Sequence, residues 1–190
     1  MDDKLDKEYL VTAVGIMERG GVGFVDGLSD AQILAAEQQH GIRFPPDLRS
    51  FLSYRLPIGE GFPDWRRPSS TSIANQFSSP LDGILFDITK NGFWYHGWGS
   101  RPESEQQAVE IAKERIQTAP VLIPVFRHRY MPDRPRLPGN PVFSVHQTDV
   151  IYYGFNLMSY LSREFGVEGS PTPPEAPRGI EFWSELEQLD

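Results

Sequence analysis

The chain is predicted to fold as α+β, with a central antiparallel β-sheet of hairpins flanked by helices. Three observations lead there. Helical periodicity fills the first fifty residues, turn-punctuated apolar runs fill the middle, and one more helical pattern follows the last of those runs. Helices and strands are thus grouped along the chain and do not alternate as β/α units, which favours an antiparallel sheet.

The first helix is expected over residues 5–19, with Leu5, Tyr9, Ala13 and Ile16 along one side, and Gly20, Gly21 and Gly23 ending it. In LSDAQILAAEQQHG, Ser29 is the expected N-cap and Gln32 completes a capping box. Ile33 and Ala36 face inward, and Gly41 closes the helix. FPPDLRSFLSYRLP then places a proline in a first turn, with Leu48, Phe51 and Leu52 at helical spacing. Residues 57–80, rich in Pro, Gly and Ser, read as a long surface loop.

Next, GILFDITKNGFWYHGW has two apolar runs around Asn91-Gly92, a dipeptide that predicts a hairpin because both residues tolerate positive φ. A helix is expected from Glu103 to Thr118. VLIPVF reads as a short strand whose Pro124 puts it at an edge or a bulge. GNPVFSVHQTDVIYYG, residues 139–154, reads as a second hairpin. A three-residue Gln147-Thr148-Asp149 loop would set Val150 opposite His146. Phe143, Val145, Ile151 and Tyr153 would then share one face, and Ser144, His146, Val150 and Tyr152 the other. NLMSYLSREFG gives a helix burying Leu157, Tyr160, Leu161 and Phe165. The organisation expected is one domain over residues 1–167, a proline-rich linker over 168–179, and a short amphipathic helix over 180–190 with Phe182, Leu186 and Leu189 aligned.

Composition narrows the function. A chain of 190 residues with 39% apolar residues supports one packed domain, and it contains no cysteine, so disulfides, thiolate metal sites and cysteine nucleophiles are all ruled out. The net charge of −8 argues against a nucleic-acid binder, whose affinity comes from neutralising phosphates. It suits a partner with a basic surface. The charge is uneven: residues 168–190 hold six acids against Arg178, and residues 127–136 hold four arginines against Asp133. The opening MDDKLDKEYL has no secretory leader and no run is long enough to span a membrane, so a cytoplasmic protein is expected.

Ser144, His146 and Asp149 resemble the parts of a hydrolase triad, but Ser144 and His146 stand two apart on one strand, about 7 Å from each other. No G-x-S-x-G elbow exposes a serine. His96, His128 and His146 lack the spacing of metal ligands, and Gly20-Gly21-Val22-Gly23 lacks the strand and lysine of a phosphate loop. No catalytic residue, metal or cofactor is therefore expected. The aromatic and arginine clusters remain: the Phe62–Arg66 stretch, Trp94 and Trp98 with Arg101, and Arg127 to Tyr130. These are the residue types enriched at binding hot spots. Phe62, Trp65, Trp98 and Tyr130 are the expected anchors, with Asp64, Arg66 and Arg129 fixing register.

LSDAQILAAEQQHGIRFPPDLRSFL, LPIGEGFPDWR, GILFDI and NGFW, followed by VLIPVFRHRYMP, the 139–154 stretch and the helix after it, resemble the Smi/Knr family of the SUKH superfamily. The resemblance runs from about Gly20 to Gly166, with FWS near the end resembling bacterial members. It implies an α+β fold and a binding role without catalytic residues. Bacterial members of this kind are regarded as immunity proteins that neutralise toxins by direct contact, and fungal ones are linked to cell-wall assembly. The expectation is a cytoplasmic, non-catalytic protein-binding module that occludes a toxin. The alternatives are a regulatory scaffold binding a cellular partner or small ligand, and an enzyme with a pocket around His128 or His146.

Overall fold

A computed structural model describes residues 6–166 and 174–189. The fold is α+β, with two antiparallel sheets. Helix α1 spans Lys7–Arg19, capped by the Asp6 side chain, and strand β1 follows at Gly23–Asp26. Helix α2, Asp30–His40, has the reciprocal Ser29–Gln32 capping box and ends at Gly41, as its sequence predicts. Helix α3, Pro46–Tyr54, starts on a proline whose missing N–H would have no partner in a first turn. It runs straight into β2, Arg55–Ile58, which pairs with β1 to make the small sheet. Leu5 and residues 168–173 of the expected linker lie outside the described residues.

Residues 57–80 are not one loop. They contain the end of β2 and the first half of α4, Thr71–Phe86. Ile73, Phe77, Pro80 and Ile84 recur at helical spacing, and Ile73, Pro80 and Ile84 are buried. Pro80 removes the N–H that would bond the Gln76 carbonyl four residues back. The Tyr130 hydroxyl donates to that carbonyl instead, at 3.1 Å.

The expected hairpin at Asn91-Gly92 is absent. Helix α4 continues as a π-turn over Asp87–Asn91, and Gly92 is its left-handed cap, with φ 73°. Only one of the two residues takes positive φ, so no type I′ turn forms. Asn91 Nδ2 donates to Asp87, and Arg101 donates to the carbonyls of Ile88 and Gly92, satisfying a helix end that would otherwise be orphaned. A single 3₁₀ turn at His96–Trp98 precedes α5, Glu105–Ile116.

The main sheet has the order β3-β4-β5-β6: Leu122–Phe126, Arg129–Pro132, Val142–His146 and Asp149–Gly154. Pro124 sits on an edge strand, and the register of β3 against β4 shifts between Pro124 and Phe126. The β5–β6 turn has two residues, not three. His146 lies opposite Asp149, Val145 opposite Val150, Ser144 opposite Ile151 and Phe143 opposite Tyr152. The expected faces are therefore corrected: Val150 and Tyr152 join Phe143 and Val145, while Ile151 and Tyr153 join Ser144 and His146. Gln147 takes φ 59° in the turn, and Asp87 accepts hydrogen bonds from both the Thr148 N–H and hydroxyl. Gly83 permits this docking, because a Cβ there would stand 2.8 Å from Gln147 Cα.

The main sheet carries a core on each face. Ile123, Met131 and Val142 point into the first, with Leu10, Ile16 and Met17 of α1, Phe51 of α3 and Leu157 and Leu161 of α6, Leu157–Phe165. Leu122, Tyr130, Phe143, Val145 and Val150 point into the second, with Ile84, Ala108 and Ala112. The C-terminal segment closes that second core. Ile180, Phe182, Trp183 and Leu186 are buried in it, α7 spans Trp183–Glu187, and Trp183 Nε1 donates to Pro120 O at 2.7 Å. The expected third aligned residue, Leu189, stays exposed.

Candidate partner-binding surface

The seven sequence-predicted contact residues do not form one surface. Trp65 is 2% exposed and lies in the first core, edge-on to Phe44 at 5.0 Å and near His40 and Phe77. Tyr130 is equally buried and is committed to the Gln76 carbonyl. Neither presents a ring to solvent, which corrects their reading as exposed anchors. Both are large apolar rings with one polar atom, and burial of the ring is their commoner use.

Asp64 and Arg66 serve the loop they lie in. Asp64 accepts from the Arg66 N–H at 3.2 Å and from Arg67 Nε at 2.7 Å, an Asx-type turn. Arg66 donates to the Asp26 carbonyl at 2.7 Å, tying this loop to the end of β1. Phe62 packs partly buried between Phe126 and Phe165, at centroid distances of 4.5 and 5.9 Å.

Arg129 sits in a polar cluster of its own. Its Nε donates to Glu164 at 3.0 Å and its Nη1 to Ser144 Oγ at 2.8 Å, and its guanidinium lies 3.7 Å from the Tyr153 ring centroid. Arg163 sits 4.2 Å from the same ring. The pair ties β4 and β5 to α6 at the sheet end where His128 and His146 are exposed. Burial lowers the His128 pKa, and Arg129 lowers it further. Ser144 thus gives its oxygen to Arg129, and His146 faces Asp149 across the hairpin. Among the described residues no group of three His, Asp or Glu side chains is placed to hold a metal ion.

Trp98 is half-buried, as Phe62 is, and stacks on Phe182 of the C-terminal segment, with centroids 5.7 Å apart and planes at 20°. Trp94, also partly exposed, meets it edge-on at 5.2 Å and is oriented by donating Nε1 to Gly99 O. Tyr95 completes a ring box, 5.5 Å from both Trp98 and Phe182. Exposed Glu181 and Glu185 flank Phe182, and Glu185 accepts from the Tyr95 hydroxyl and the Phe182 N–H. Trp94 and Trp98 thus meet part of the acidic excess of the C-terminal residues here. Sequence spacing identifies Trp94 and Trp98. It does not bring in Glu185, which is 90 residues from its partner Tyr95.

A concavity of about 610 Å³ lies between α1, α2 and α3. Leu10, Leu28, Phe44 and Pro46 line it with Ser29, Asp30, Arg49, Ser53 and Tyr54. Among the described residues no helix is long and apolar enough to cross a membrane. Compared with known proteins, the chain matches no family model, no curated relative and no solved structure.

Proposed function

We propose that the chain is a non-catalytic protein-binding module of the SUKH type, acting in the cytoplasm as an immunity protein that neutralises a toxin by covering a basic surface on it. The Trp98 surface carries this reading: two partly exposed tryptophans, Trp98 stacked on Phe182 and Trp94 edge-on to Trp98, with exposed Glu181 and Glu185 on the segment that supplies Phe182. Aromatic rings with restricted rotamers give contact area at low entropic cost, and an acidic border steers a basic partner. Partner capture from the native host, followed by growth rescue of cells expressing the captured protein, tests it. Trp98→Ala is expected to weaken binding by about 2 kcal/mol or more while the thermal transition stays cooperative. Unchanged affinity, or a captured protein that is harmless when expressed, would overturn the reading.

The groove of about 610 Å³ supports a second reading, a regulatory scaffold that binds a small ligand, since its size and largely apolar walls suit a drug-sized molecule. Loss of ligand-induced thermal stabilisation in Ser53→Trp, with binding at Trp98 intact, would favour it.

A further inference from the structure

Glu185 is an exposed carboxylate held still. The Phe182 N–H reaches Oε1 at 3.3 Å, and the Tyr95 hydroxyl donates to Oε2. Among the described residues it forms no ion pair, nor do Glu181 and Glu187. Arg101, the cation closest in sequence to the two tryptophans, is engaged with the carbonyls of Ile88 and Gly92. A pre-oriented acceptor is thus held by Tyr95 and Phe182, the two residues whose rings pack on Trp98, and aromatic faces attract cations. The rings are fixed as well: Trp98 is braced by Phe182, and Trp94 by its hydrogen bond to Gly99.

From this juxtaposition we infer that the Trp98 surface is a receptor for an arginine side chain of the partner, whose guanidinium lies against the tryptophans and pairs with Glu185. The inference rests on the protein-binding reading above and names the partner's anchor. Arginine fits better than lysine because its planar guanidinium can stack on a ring while its N–H groups fork onto a carboxylate. An ammonium group is a compact, strongly hydrated charge that gains less from the rings. The C-terminal segment is part of the receptor, since it supplies both Phe182 and Glu185.

The test uses the full chain and three synthetic octapeptides that differ only in carrying arginine, lysine or the neutral isostere citrulline at alternate positions. The indole N–H signals of Trp65, Trp94, Trp98 and Trp183 report the location, and titration calorimetry reports affinity. The arginine peptide is expected to shift the Trp94 and Trp98 signals and leave buried Trp65 unmoved. It should bind about tenfold more tightly than the citrulline peptide. Glu185→Gln keeps an oxygen for the Phe182 N–H and turns its NH2 to the Tyr95 hydroxyl, which can accept, so it should fold normally and lose most of that preference. Glu105→Gln, an exposed acid on α5, should change it by less than about twofold. Equal effects of the two substitutions, or no preference for arginine over citrulline, would mean diffuse charge attraction and overturn the inference. A captured toxin that needs Trp98 alongside such peptide results would leave the immunity reading standing without the arginine receptor. Arginine preference with no toxic partner would do the reverse.

Discussion

Tyr130 shows how a residue type alone can mislead about its use. Its hydroxyl fills the vacancy left by Pro80 in the α4 ladder, so two residues far apart in sequence act as a pair. Tyr130→Phe should cost about 1 kcal/mol in urea unfolding. The loss should shrink in a Pro80→Ala background, where the backbone regains an N–H at that position to donate to the Gln76 carbonyl. Equal losses in both backgrounds would separate the two residues. Trp65 is the sharper case. Its ring touches Phe44, His40 and Phe77 inside the first core, so Trp65→Ala should cost about 3–5 kcal/mol. A Trp65→Ala protein with wild-type stability would return the ring to the surface. Composition reads tryptophan as a hot-spot residue, and only the fold decides which tryptophans remain reachable.

At the scale of elements, legibility followed locality. The Ser29–Gln32 capping box, the proline start of α3 and the edge position of β3 each depend on residues a few positions apart, and each is readable in the chain. The two hairpin readings depended on something distant. Asn91-Gly92 became a helix end because Arg101 satisfies the Ile88 and Gly92 carbonyls and Asp87 holds the Asn91 side chain. The β5–β6 turn took two residues with Asp87 bound to Thr148, 61 positions away. No dipeptide preference encodes that contact. Asp87→Ala should therefore speed amide exchange at Thr148 and lower stability by about 1–3 kcal/mol, with Val142 and Val150 following only the global change. Exchange at Thr148 that tracks Val150 one for one would argue against a local role for the carboxylate. The candidate surface divides the same way: the Trp94 and Trp98 pair is visible in the sequence, and its carboxylate arrives with the chain's last helix.

Across the whole molecule, the first core, the β4–β5 loop and the C-terminal segment meet at Asp47. This carboxyl is 2% exposed and accepts from the Gly139 and Leu48 N–H groups at 2.9 and 3.0 Å. Arg178 lies close enough to be felt, and it binds Asn140 and the Pro138 carbonyl. Burial raises the Asp47 pKa above 3.8, against the opposing pull of those N–H groups and Arg178. The folded state thus holds this proton more tightly than the unfolded chain, so its contribution to stability falls as pH rises from about 4 through the raised value. Asp47→Asn keeps an acceptor for Gly139 and removes the buried charge. The variant should match or exceed the wild type in thermal midpoint at pH 7, with the gap narrowing towards pH 4. A lower midpoint at pH 7 and a constant gap would place the favourable contacts above the cost of burial. The same C-terminal segment has a consequence for synthesis. Phe143, Val145 and Val150 are made roughly thirty to forty residues before Trp183 and Leu186, which cover their face of the sheet. At about 5–20 residues per second, a growing chain leaves that face open for seconds after the sheet itself can form. The chain is therefore more exposed to aggregation before Trp183 and Leu186 dock than after, and α7 is the closure that ends that interval.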